Sequence, residues 1–79
     1  MNGRYLINLI ESYCKKNGND INKVYEKLGT YYQDSYGTNI VMEMEEKGQH
    51  DIVHYLENKG QGFIDRYVAL FNQYKNELK

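Results

Sequence analysis

Phe63-Ile64-Asp65-Arg66-Tyr67-Val68-Ala69-Leu70-Phe71-Asn72-Gln73-Tyr74-Lys75-Asn76-Glu77-Leu78 is the stretch that decides the fold class. Its large apolar residues Phe63, Tyr67, Leu70, Phe71, Tyr74 and Leu78 recur at separations of three, four, seven and eight. That is the period of one helix face, so a helix is expected over 63–78 with this stripe against a core. Asp65 lies near its positive end, and Lys75 and Lys79 near its negative end, where the aligned peptide dipoles favour those charges.

Moving back along the chain, Gly60-Gln61-Gly62 is a short link. Residues 50–59 read as a short helix with Ile52, Val53 and Leu56 inward and Gly60 closing it. Ile40, Val41 and Met44 give an inward face to a helix over 39–47, capped by Thr38 and stopped by Gly48. Residues 40–45 also read as a strand, but no partner strand is evident elsewhere. Ile21, Val24, Tyr25, Leu28 and Tyr32 form the apolar face of a helix that Asn19 or Asp20 can cap. Gly29 weakens a helix interior by about 1 kcal/mol relative to alanine. An end near Gly29 would leave 31–36 in a turn, while Gly37 is the clearer stop. Tyr5, Leu6, Leu9, Ile10 and Tyr13 mark a first helix over 4–16, stopped at Asn17-Gly18. The expected architecture is all-α, a compact bundle of four to five short helices with a longer C-terminal helix. Residues 1–79 form a single domain.

A chain of 79 residues buries only about 60% of its unfolded surface, so its core is small. Pairing two copies as a homodimer is one way to bury more. The lone Cys14 cannot form an internal disulfide and fits a reducing compartment. Asn8, Glu11 and Ser12 interrupt the apolar residues after Met1-Asn2-Gly3-Arg4, which excludes a secretory leader or membrane span there. A cytoplasmic location and no membrane contact are expected. Asn, Lys, Ile and Tyr have AT-rich codons, and their abundance suggests an AT-rich genome, such as those of low-GC bacteria and their phages.

The net charge of −1 does not suit a nucleic-acid binder. The charge is segregated, however: residues 34–57 carry −5, while the flanking segments 1–33 and 58–79 each carry +2.

Gly48, Ile52, Val53, Leu56 and Gly60 fall at the spacing of a familiar helical corner. The thirteen residues 48–60 resemble the second half of an ankyrin repeat, which implies two helices meeting at Gly48. The Thr-Pro-Leu-His opening of such repeats is missing, with Thr38 one residue out of register, and no second repeat follows.

Catalytic constellations are few. His50-Asp51-Ile52-Val53-His54 resembles the zincin motif, in which histidines at i, i+4 hold zinc and an intervening glutamate acts as base. Here aspartate replaces the glutamate, Gly48 separates the histidines from Glu46, and Glu57 is the other available carboxylate. Cys14 sits at a helix C-terminus, where the dipole raises a thiol pKa and opposes a nucleophilic role. Gly60-Gln61-Gly62 precedes a helix and could meet an anion, but its spacing matches no nucleotide fingerprint. No catalytic residue, cofactor or metal is expected.

Tyrosine is the unusual component, with nine against two phenylalanines and no tryptophan. Tyr5, Tyr13, Tyr25, Tyr67 and Tyr74 fall on core stripes. Tyr31, Tyr32 and Tyr36 cluster just before the acidic run that contains Glu43, Glu45 and Glu46. Exposed tyrosines anchor interfaces, and flanking acidity steers a basic partner. The expected function is a small non-enzymatic protein-binding regulator or inhibitor, binding a partner with a basic or amphipathic surface. Its contact residues would be Tyr31, Tyr32, Tyr36, Glu43, Glu45 and Glu46. The alternative is a nucleic-acid-binding domain using Arg66, Gln73, Lys75 and Lys79; a small metal-dependent enzyme is a third reading.

Overall fold

The Asn2 side chain accepts a hydrogen bond from the Tyr5 N–H at 3.0 Å and so opens the first helix, α1 (Gly3–Asn17). The computed structural model describes residues 2–78, apart from the side chain of Gln61; Met1 and the expected helix-end cation Lys79 lie outside the described residues. Helix α1 ends at Gly18, whose left-handed φ of 70° lets its N–H reach back to the Cys14 carbonyl. Asp20 caps α2 (Ile21–Tyr36) by accepting from the Asn22 and Lys23 N–H groups. Asn39 does the same for α3 (Ile40–Glu46), and Asp51 for α4 (Ile52–Lys59). Helix α5 (Gln61–Tyr74) begins directly after Gly60 without a side-chain cap and runs into a 3-10 turn, Lys75–Glu77. The all-α architecture is as read from the stripes, and no strand occurs among the described residues. None of the described helices is long and apolar enough to cross a membrane.

Several boundaries differ from the expectation, among them the start of α5 at Gln61, which takes Gln61 and Gly62 out of the expected link and into the helix. Helix α2 does not stop at Gly29 but continues for seven more residues to Tyr36. The missing side chain is used there: a Cβ on Gly29 would lie 2.8 Å from Val41 Cγ2, so glycine lets α3 approach α2 closely. The cap of α3 is Asn39 rather than Thr38, and α4 starts at Ile52 because Asp51 is spent as its cap. The C-terminal stripe is carried by α5 and the 3-10 turn together, which places Lys75 in the turn.

Helix α5 packs against α1, α2 and α4, while α3 rests on α2 and α4. Leu6, Ile10, Leu28, Ile40, Leu56, Ile64 and Tyr67 are fully buried where these faces meet. Tyr5 departs from its expected core position and is 47% exposed. The inward row of α1 runs through Leu6, Ile10 and Cys14, so Tyr5 lies past its edge. At the far end, the Tyr13 hydroxyl donates to the Lys75 carbonyl at 2.6 Å and Asn19 Nδ2 donates to the Leu78 carbonyl at 2.9 Å. These side chains satisfy carbonyls that the helix end leaves open.

Candidate partner-binding surface

The continuation of α2 through Gly29 redistributes the three tyrosines expected as anchors. Tyr32 extends the inward row from Leu28 and is buried, 2% exposed, against the Tyr67 ring. Tyr31 is half-buried and lies flat on Tyr74 of α5, with ring centroids 4.1 Å apart and planes 6° from parallel. Only Tyr36, at 46% exposure, stays largely open to solvent. Tyr32 is thus a core residue, and Tyr31 holds the seam between α2 and α5.

The three glutamates also separate. The Glu43 carboxylate accepts hydrogen bonds from the Tyr55 hydroxyl and from Lys59 Nζ, the latter at 2.9 Å. Its charge is compensated within the fold. Glu45 and Glu46 are exposed and have no ion-pair partner among the described residues. Three and four residues before them is Met42, 59% exposed, so the three side chains share the outward face of α3.

Glu45 has a second role. It borders a groove of about 290 Å³ between α2 and α3, with His50 and Ile52 also in its lining. Tyr25, Val41, Met44 and Ile52 supply its apolar wall, and Glu26 and Glu45 place exposed carboxylates beside it. Burial, with a smaller contribution from the charge of Glu11, pushes the Tyr25 hydroxyl up to about 12, so it stays neutral. An apolar trough edged by carboxylates suits the aliphatic stem and charged head of a lysine or arginine.

No family model matches this chain, nor does any curated protein or solved structure. The site therefore stands on its own geometry.

The other constellations are placed as follows. Asp51 accepts from the His54 N–H at 3.1 Å as the α4 cap, and His50 precedes that cap. The two histidines are not on one helix face. Among the described residues, no three His, Cys, Asp or Glu side chains are arranged to hold a metal ion. Burial, then the charge of Asp20, raises the pKa of the buried Cys14 thiol. The Gly60 N–H donates to the Leu56 carbonyl and is not turned to an anion. Arg66 is half-buried, with its guanidinium against the rings of Tyr36 and Phe63.

Spacing gives no signal for Glu26, and it reads Tyr25 as a core ring and His50 as one of two zincin-like histidines rather than as walls of a shared groove. Glu26 and Glu45 are nineteen residues apart, and only the close contact of α2 with α3 brings them to one groove. The usable signal was Gly29, a glycine inside an otherwise helical pattern.

The pairing of Glu43 sets a pH dependence. Hydrogen bonds from Tyr55 and Lys59 hold its carboxyl below the ordinary value of 4.5. A lowered folded-state pKa means that the unfolded chain binds the proton more readily. The stabilisation is therefore complete above pH 4.5 and lost as pH falls through the folded value. In urea titrations from pH 7 downward, Glu43→Gln should start from a lower midpoint and lose less on acidification than the unsubstituted chain. Parallel curves would show that the Tyr55–Glu43–Lys59 cluster adds nothing to stability.

Proposed function

We propose that this chain is a non-enzymatic protein-binding module, a small regulator or inhibitor that covers a basic or amphipathic surface of its partner. The observation that supports this reading is the α2–α3 groove, with Glu26 and Glu45 beside an apolar wall. A lysine or arginine from the partner enters it, its stem against Met44 and Val41 and its head between the carboxylates. Glu46 adds to the negative field that steers the approach, and Met42 supplies an adaptable apolar contact. Tyr36 remains from the expected anchors as an exposed ring at the end of α2.

The test is a paired capture from cells of the source organism, with the immobilised chain beside its Glu26→Lys/Glu45→Lys variant. A partner with a basic contact surface should be retained by the first and lost from the second. Its association should slow as salt rises, because exposed charges are screened. A partner held equally by both proteins, or one whose contact surface is acidic, would overturn the reading.

A further inference from the structure

A second groove lies on the Glu43 side of α3, with a different chemistry. It measures about 160 Å³ and is lined by Tyr36, Thr38, Glu43, Lys59, Phe63 and Arg66, among others. The Arg66 guanidinium carbon is 4.6 Å from the Tyr36 ring centroid and 4.8 Å from that of Phe63, so both rings hold it. Arg66 Nη1 donates to the Tyr32 hydroxyl at 2.9 Å. A guanidinium has five N–H donors. No other hydrogen bond from Arg66 to a described residue occurs, and no described carboxylate lies within ion-pair distance of it. Lys59 stands 5.3 Å from the same Phe63 ring, but its charge is already matched by Glu43.

A half-buried arginine held by two rings and one hydroxyl has lost water without gaining an anion. We propose that Arg66 and its aromatic walls form a carboxylate-binding subsite, independent of the α2–α3 groove. Three features set the ligand class. The planar donor fork of arginine matches a carboxylate through two parallel hydrogen bonds. The groove is smaller than the roughly 300–1,000 Å³ of ordinary small-molecule pockets, so it admits a group of side-chain size. With Glu43 and Lys59 paired to each other, Arg66 leaves one unmatched positive charge in the lining, which suits a singly charged carboxylate better than a doubly charged phosphate. The Thr38 hydroxyl, also in the lining, is a further donor. The carboxylate can come from a chain terminus or from an Asp or Glu side chain of a partner.

The experiment follows the Arg66 Nε–Hε resonance and the amides of Tyr36 and Thr38 in the isotopically labelled full chain. Three probes are added separately: N-acetylglycine, N-acetylaspartate amide and inorganic phosphate. Saturable shifts with a carboxylate are expected, and whichever of the two binds more tightly names the source. Arg66→Lys keeps the charge but not the fork and should weaken binding by about tenfold. The Glu26→Lys/Glu45→Lys variant should bind as the unsubstituted chain does, so failure here is distinguishable from failure of the proposed function. The assignment is overturned by the absence of saturable shifts with either carboxylate at millimolar concentration. Tighter binding of phosphate, or equal shifts in Arg66→Gln, would overturn it as well.

Discussion

Tyr67→Ala should leave little of the protein folded. Tyr67 is the largest of the fully buried side chains, and its ring centroid lies 6.1 Å from that of Tyr32. Its hydroxyl donates to the Tyr25 carbonyl at 3.1 Å, tying α5 to α2. Truncating a buried aromatic to alanine costs about 3–5 kcal/mol, through lost transfer energy and the cavity left behind. A core of this size supplies roughly 3–5 kcal/mol in total, so the loss is comparable with the whole stability. Tyr67→Phe removes only the hydrogen bond and should cost about 0.5–1.5 kcal/mol, leaving a cooperative transition. Urea unfolding followed by far-UV circular dichroism separates the two. A Tyr67→Ala midpoint close to that of the unsubstituted chain would mean that this ring does not hold α2 to α5.

Gly29→Ala should destabilise, although alanine is the better helix former. In an unpacked helix the substitution gains about 1 kcal/mol. Here the new methyl would lie 2.8 Å from Val41 Cγ2, well inside contact distance. Val41 is β-branched and buried, so its χ1 is restricted and it yields little. Helix α3 must back away from α2, and overpacking of this kind costs about 1–3 kcal/mol. The control is Gly62→Ala in α5, where nothing lies within 4 Å of the added Cβ. That substitution should stabilise by about 0.5–1 kcal/mol. Equal gains at both positions would show that the α2–α3 contact is looser than described. Since Val41 also lines the groove proposed for a basic side chain, Gly29→Ala should weaken partner binding as well.

The periodic parts of this fold were legible in the chain, and the parts set by contact between segments were not. Leu6, Ile10, Leu28, Leu56, Tyr67 and Leu70 follow from helical spacing alone and are buried. Gly18 and Gly37 terminate helices as expected, because a left-handed residue there costs glycine little. Gly29 was misread for a definite reason: propensity counts what glycine loses in a lone helix, and not what a neighbouring helix gains from its bare backbone. That one boundary decides between the two readings of Tyr32, on the apolar face or among the contact residues, and the continuation of α2 puts it on the inward row. Of the expected contact residues, Tyr36, Glu45 and Glu46 remain at the surface with free charge or an open ring. Glu43 was counted as free charge because its partners, Tyr55 and Lys59, are twelve and sixteen residues away and reach it through packing of α4 on α3. Arg66 was read as a surface cation for the same reason: its ring partner Tyr36 is thirty residues distant.

The flat stack of Tyr31 on Tyr74 makes this molecule self-reporting. Two identical chromophores 4.1 Å apart and nearly parallel must couple electronically, and the chain has no tryptophan to mask their signal. The two rings belong to α2 and α5, separated by forty-three positions, so the coupling exists only while that seam is closed. This pair's contribution to the near-ultraviolet dichroism should therefore be lost when the α2–α5 seam opens, whereas far-ultraviolet dichroism registers loss of helix. A difference between the two signals would time the parting of the helices separately from their melting, without any added label.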